Sequence, residues 1–450
     1  MNDVKNSVAL TWQEKREGRF KRWMSPPGLK FVSPEAEQNY KERTTRLTKA
    51  FKLEIPDRVP CMLPAGFFPA QNAGITFETA SNDYDAMKKA WLKFLEDYDT
   101  DTFDEALYYP SKIYEFLNYK VNKWPGHGLP HDAPTYQFVE REYMKAEEYD
   151  VFINDPFDFT IRHYLPRAWG VFEPFKSTAP FSSHQGLPFR LLSMLNDPAF
   201  RPAFEAIWEA SKEFPKWQAA VADTTQRAHE MGFPSFRGGY AVAPFDTLAD
   251  GLRGTKGIVM DMYRQPEKIH EALEKVWPDS LAAAVKMADF TGCPMVMMPL
   301  HKGDDTFMSI EQYETFYWPT FRRLLLGMID EGLMPLLVAE GIYNNRLEII
   351  KDLPRSGVMW IFDRTDMARA KQILSGIACI AGNVPVSLAY ASTAQEMKDY
   401  CRKLIETCAP GGGFILTGGS TFDMAKPENL HAMMEAAKEY GGYEKLSTRV

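Results

Sequence analysis

The sequence predicts a (β/α)₈ barrel carrying an N-terminal helical extension and a large insertion after the second strand. Three observations predict it. Eight short apolar runs recur along the chain, at 58–66, 101–107, 235–242, 294–300, 334–341, 358–363, 379–384 and 414–419. Most of them end in a polar, acidic or glycine residue, and helical stretches separate most of the last six. The length of 450 residues is enough for one elaborated barrel or for two domains. In a barrel of this kind the active site forms where the strands end, so residues just past each run are the first candidates for chemistry.

The elements follow in order. Residues 1–50 read as an extension, with a helix over 11–24 broken by Ser25-Pro26-Pro27-Gly28 and a second helix over 34–51. The barrel then spans 51–450. After the first run, 83–98 has apolar residues at helical spacing. The stretch 108–234 is too long for one crossover and is rich in aromatic residues, proline and glycine. It reads as an insertion over the barrel mouth, with a separate domain as the alternative, and with helices near 141–149, 186–195, 198–211 and 212–231. Further helices are expected near 255–288, 309–331, 344–352, 365–374, 393–408 and 426–440. Thr365 or Asp366, Ser392 or Thr393, and Lys426-Pro427 suit their N-termini.

Composition excludes several classes. A net charge of −8 argues against a general nucleic-acid binder, which needs a basic surface. The basic stretch Lys15, Arg16, Arg19, Lys21, Arg22 reads as a solvated helix face. No apolar run approaches the length of a membrane span, and the first twenty residues lack an apolar signal-peptide core. The five cysteines form no CxxC pair. Reduced thiols and the cytoplasm are the default expectation.

The strand ends carry a resemblance. Cys379-Ile-Ala-Gly-Asn383-Val-Pro385, then Gly411-Gly-Gly-Phe-Ile-Leu-Thr-Gly-Gly419, then Lys426-Pro427-Glu428-Asn429-Leu430, with Asp57-Arg58-Val59-Pro60 and Phe362-Asp363, resemble the uroporphyrinogen decarboxylase superfamily over about 45–442. The resemblance implies a (β/α)₈ barrel. It also implies one of two activities, decarboxylation or methyl exchange with corrinoid proteins. Two departures separate these branches. The decarboxylases carry paired arginines after the first strand, because the planar guanidinium fork pairs with both oxygens of a carboxylate. Here that position reads Pro64-Ala65-Gly66-Phe67-Phe68-Pro69. Phe67 and Phe68 suit a flat apolar substrate instead. The thiol-activating methyltransferases hold zinc with a His-x-Cys pair after strand five and a cysteine after strand eight. Here those positions read Val338-Ala339-Glu340 and Gly418-Gly419-Ser420. What remains resembles methyltransferases that pass a methyl group from a substrate, including aryl methyl ethers, to a corrinoid protein. Trp124-Pro-Gly-His127-Gly-Leu-Pro130 and His301-x-Gly-x-Asp305-x-Phe-Met308 look like that long-chain group.

The strand-end residues fit such chemistry. Expelling a phenolate, whose conjugate acid has a pKa near ~10, benefits from an acid at the ether oxygen. Glu340 follows the apolar strand Leu336-Leu337-Val338, so desolvation raises its pKa and favours a proton-carrying acid. Its alternative is a structural pair with Arg346 or Arg364. His301 is the histidine at a strand end and could donate a proton. With Glu340 and Asp363 it could instead bind a metal such as zinc, although no diagnostic spacing is present. Asp363 could orient His301 or a substrate hydroxyl. Asn383 could bind substrate or brace its own turn. Gly411–Gly413 read as a turn, and Gly418–Gly419 as a close backbone approach to a ligand. Tyr240, Phe67 and Phe68 read equally as substrate wall or as core, with Asp104 and Glu105 of lower rank.

No cobalamin-binding DxHxxG pattern occurs, so the resemblance implies a corrinoid carried by a partner protein docked over the mouth. Dimers are common for this fold family, and a homodimer stays open. The rival readings are a decarboxylase of a small or tetrapyrrole-like acid, using Arg237 and His301 as its cations, and a non-catalytic corrinoid-protein-binding barrel. Two or more arginines in the pocket would favour the first. The absence of a cavity would favour the second.

Overall fold

The computed structural model describes residues 10–103, 108–181 and 186–444. Six parallel strands pair in chain order: Gly239–Tyr240, Met295–Leu300, Met334–Ala339, Met359–Phe362, Cys379–Val384 and Phe414–Gly418. These are the third to eighth expected runs. Strands five, seven and eight are buried at every position. That is how a parallel sheet covered on both faces must read, and it explains their continuous apolar sequences.

The first two runs join by isolated backbone hydrogen bonds rather than as long strands. Met62 N–H donates to the Leu416 carbonyl at 2.9 Å, which ties the first segment to the eighth strand. Asp101 N–H donates to the Cys61 carbonyl at 2.9 Å, tying the second segment to the first. Phe103 N–H reaches the Pro234 carbonyl at 2.9 Å, and Phe236 N–H returns to the Phe103 carbonyl at 3.0 Å. Backbone hydrogen bonds therefore link all eight segments in a ring, matching the expected barrel. Among the described residues no helix is long and apolar enough to cross a membrane.

Most expected helices form with their expected caps. Trp12–Met24 starts at Thr11 in a reciprocal cap with Glu14, and Ala394–Cys408 starts at Thr393 in the same way with Glu396. Asp366 caps Met367–Leu374. Two boundaries differ. The single helix expected over 255–288 is two, Gly254–Arg264 and Pro266–Thr291. Pro266 lacks an N–H and starts a helix better than it continues one. The pair expected over 198–231 is one helix, Arg201–Glu230, which runs through Pro215. Tertiary contact holds it: Trp217 donates to the Tyr108 carbonyl at 2.9 Å, and Thr224 meets the Tyr108 hydroxyl at 2.8 Å. The segment expected as a helix over 141–149 turns helical only toward its end, with Tyr149–Asn154 following a short turn at Ala146–Glu148.

The N-terminal extension fills the barrel from below. Phe20, Trp23, Leu47, Ala50 and Phe51 share one buried cluster with interior residues Met62, Phe236, Met334, Leu336, Val338 and Ile361. Phe51 stacks on Phe20 at 6.1 Å and on Phe236 at 5.9 Å between ring centroids. Trp23 Nε1 donates to the Ser235 carbonyl at 2.9 Å. Buried Asp101 then pins the extension to the first segment, accepting from Arg46 Nη1 at 2.6 Å, Arg58 Nη1 at 2.7 Å and Cys61 N–H at 2.7 Å. The basic stretch is a solvated face at Lys21 and Arg22, which are exposed, but not at Arg16 and Arg19. Arg16 is buried and donates to the Ser356 carbonyl at 2.6 Å, while Arg19 reaches the Glu331 carbonyl at 2.8 Å and Asp289 at 2.7 Å. Arg16 and Arg19 thus spend their donors at the barrel base.

Removing a ring from this filling leaves a void. Phe51→Ala is expected to cost about 3–5 kcal/mol in chemical denaturation. Phe290→Ala, at a side chain 89% exposed, is expected to stay within about 0.5 kcal/mol of the parent.

Candidate functional site

The ring is filled at its base and open at the other end. There a cavity of about 560 Å³ lies over Met62, Phe236, Met297, Leu336, Val338 and Ile361. Its upper wall comes from the strand ends: Arg237, Tyr240, His301, Glu340 and Thr417–Thr421. The 108–234 segment adds Asn122, Tyr136 and Phe138. The last two lie in or beside a small sheet formed by Asn122–Pro125, Gly128–Leu129 and Gln137–Phe138. Thus two acid–base side chains face a mainly apolar floor under an aromatic rim.

His301 and Glu340 stand on neighbouring strands. His301 follows Met295–Leu300, and Glu340 follows Met334–Ala339. His301 Nε2 lies 3.8 Å from Glu340 Oε1. On its other side, His301 Nδ1 lies 2.6 Å from Asp250 Oδ2. Asp250 also meets Lys302 Nζ at 3.2 Å. The Asp250 hydrogen bond pushes the His301 pKa up to about 9, against the opposing effect of burial, and the nearby carboxylates add to the rise. Burial raises the Glu340 carboxyl, the His301 charge opposes that, and Asp363 and Asp250 reinforce it. Asp250 is the closer partner of the ring and holds its charge. His301 is therefore an imidazolium at neutral pH, with Nε2–H left for Glu340 or for a ligand in the cavity. Glu340 is the carboxyl on the cavity wall that burial pushes toward its protonated form.

Neither arginine considered as a partner for Glu340 reaches it. Buried Arg346 donates to the carbonyls of Gly303 at 3.2 Å and Asp304 at 3.4 Å, and also bonds Met308. Arg364 lies beside Asp363 at 3.4 Å.

The structure places Tyr240 and Gly419 on the cavity wall with His301 and Glu340. Four other candidates fall elsewhere. Asp363 does not line the cavity; its Oδ2 accepts Gly341 N–H at 3.1 Å and fixes the turn after strand five. Asn383 is buried and braces: its Nδ2 donates to the Thr365 carbonyl at 3.0 Å, and Tyr400 donates to its Oδ1 at 3.2 Å. Phe67 lies behind the wall, edge-on to Phe77 at 4.5 Å and to Tyr136 at 6.5 Å. Phe68 packs against Tyr98 at 5.6 Å and Phe94 at 6.1 Å. The chain turns into the helix Phe68–Asn72 at this point, which carries both rings away from the mouth, while Pro64 and Gly66 line it. Gly411–Gly413 form the expected turn, all with φ between +68° and +81°. A Cβ on Gly419 would meet Asp363 Cα at 2.8 Å, so the close approach is to the protein's own backbone. Asp104 and Glu105 lie outside the described residues.

The metal reading does not fit. Among the described residues no group of three His, Cys, Asp or Glu side chains is placed to hold a metal ion. Asp363 is turned toward Gly341, His301 Nδ1 is taken by Asp250, and no cysteine lines the cavity.

Sequence reasoning missed Asp250 and Tyr136. Asp250 lies four residues after Asp246 in Pro244-Phe-Asp-Thr-Leu-Ala-Asp250, a spacing that puts both carboxylates on one face if the stretch is helical. The stretch is helical, through Pro244–Leu248 and the π-helical turn Ala249–Arg253. Tyr136 sits in a polar, proline-containing stretch that gave no periodic signal.

With the geometry in place, the comparisons with known proteins are specific about family. Residues 208–440, more than half of the chain, match the family model for uroporphyrinogen decarboxylase (URO-D). The chain belongs to that family. Among solved structures it is similar to a methyltransferase from Methanosarcina mazei, with a TM-score of 0.57 at 15% identity, covering 88% of this chain and 98% of that one. That likeness extends the shared fold beyond the matched segment. No curated protein matches the sequence.

The Asp250–His301 contact has a measurable signature. His301 should titrate near pH 9 by NMR, and Asp250→Asn should bring it down toward the ordinary 6.5. Because the folded value is raised, the stability gained from this proton is full below pH 6.5 and is lost as pH climbs through about 9.

Proposed function

We propose that this protein is a methyltransferase that takes a methyl group from a small methylated substrate, an aryl methyl ether above all, for transfer to a corrinoid on a separate protein. The observation that carries this reading is the His301–Glu340 pair, backed by Asp250, on the wall of a mainly apolar cavity. The URO-D family and the fold shared with a methyltransferase support it.

The chain's own residues account for most of the work. Met62, Phe236, Leu336, Val338 and Ile361 give a flat ring an apolar bed and exclude water. Tyr136, Phe138 and Tyr240 offer aromatic faces at the rim. His301 Nε2–H or the Glu340 carboxyl holds a proton at the ether oxygen. As the methyl–oxygen bond breaks, that proton goes to the leaving oxygen and a neutral phenol departs. Cobalt(I) of the partner's corrinoid would supply the nucleophile. A cavity of about 560 Å³ takes a substituted benzene ring but not a corrin macrocycle as well, so the acceptor meets the substrate at the mouth. The exposed rings of Tyr136, Phe138 and Tyr240 suit a flat macrocycle there.

A decarboxylase is the second reading, favoured by Arg237 and His301 on the same wall. Arg237 is the one arginine among the described lining residues, where a grip on several carboxylates calls for more.

The test mixes the pure protein with reduced corrinoid protein and a panel of methoxyarenes, following loss of Co(I) absorbance. Loss with a methoxyarene is expected. No loss with any methyl donor, together with carbon dioxide release from an aromatic acid, would move the assignment to the second reading. Glu340→Gln and His301→Asn are each expected to lower kcat about 100-fold or more with KM little changed, since each removes a proton rather than a wall.

A further inference from the structure

We propose that Asp246 is a positioning residue of this site, its buried carboxylate fixing the backbone of His301 so that the imidazole faces the cavity. The inference rests on the proton-donor role given above to His301. Asp246 is fully buried and does not line the cavity. Its Oδ2 accepts the His301 N–H at 3.0 Å and the Tyr317 hydroxyl at 2.9 Å. Its Oδ1 accepts the Lys302 N–H at 3.1 Å. One turn later Asp250 takes the ring Nδ1 of the same histidine and the ammonium group of the next lysine. A single helix face therefore holds residues 301 and 302 twice, by backbone through Asp246 and by side chain through Asp250.

The choice of a carboxylate is informative. Both nearby cations, His301 and Lys302, contact the carboxylate of Asp250 rather than that of Asp246. Among the described residues Asp246 has three hydrogen-bond donors, one of them the Tyr317 hydroxyl, and no ion pair at bonding distance. A buried carboxylate so placed is costly. Burial and the Asp250 charge push it up to about 7, while His301, the backbone N–H and Tyr317 pull the other way. An amide would accept one of the two N–H groups and aim its own N–H at the other. Two parallel acceptor oxygens are what a strand end with two consecutive outward N–H groups requires. The strand ends at this point, so no neighbouring strand supplies them.

Asp246→Asn in the full chain tests this without any corrinoid. The readout is the low-field NMR signal of the His301 Nδ1–H bonded to Asp250, which loss of the Asp246 charge alone would leave in place. The signal is expected to be lost or displaced, beside a fall in the titration midpoint to which the missing Asp246 charge itself contributes. In the methyl-transfer assay kcat is expected to fall about 100-fold with KM retained, as for a reacting group shifted by an ångström. If Asp246→Asn does not fold, Tyr317→Phe carries the test. It removes one donor from Asp246 and is expected to displace the signal the same way by less. An unchanged Nδ1–H signal in a folded variant overturns the proposal, whatever the midpoint does. A lost or displaced signal in a protein whose parent transfers no methyl group upholds the positioning role and removes the proposed reaction instead.

Discussion

Close packing inside the ring of strands is the constraint on which everything else depends. Eight segments enclose a space too wide to stay empty and too narrow for a channel. Here the lower part is filled by rings from the N-terminal helices, chiefly Phe20, Trp23 and Phe51, against the inward side chains of the strands. The filling stops at the level of Leu336, Val338 and Ile361, which belong both to that cluster and to the cavity floor. The binding space is thus the unfilled top of a packed core. Its apolar character follows from the same alternation that builds the barrel.

Electrostatics on such a floor are governed by desolvation. A lone charge there would be neutralised by a shift in pKa. The protein keeps one charge by giving the imidazole a carboxylate at hydrogen-bond distance and leaves a second carboxylate without so close a cation. His301 and Glu340 are thereby pushed toward their protonated forms by different causes, one by a partner and the other by burial. Two ordinary residues over an apolar floor are thus pushed toward carrying protons at neutral pH.

Much of this was legible in the chain. The strands and their end residues follow from apolar runs bounded by polar residues, and Glu340 and His301 stand out because burial of the preceding strand is unambiguous. What was not legible depends on contact between distant segments. The sequence leaves Phe67 and Phe68 open between wall and core, and packing of Phe68 on Phe94 and Tyr98 decides for core. Asp363 looked catalytic by position, yet a backbone N–H across the strand end captures it. Asp250 shows only as a four-residue spacing from Asp246, and its pairing with His301 depends on a contact between distant segments. Tyr136 reaches the cavity only through the fold of the insertion.

Asp363 and Gly419 touch so closely that the glycine has no room for a side chain, and Asp363 in turn holds the turn at Gly341, next to Glu340. Gly341 itself, at φ +90°, would place a Cβ 2.5 Å from Asp304 Oδ2. The strand ends thus form a rigid collar in which a change on the eighth strand is felt at the carboxyl on the fifth. The insertion obeys no such restriction, because Tyr136 and Phe138 are two-fifths or more exposed and stand above the collar. Retooling this scaffold for a differently shaped guest would therefore fall to the canopy and leave the collar alone.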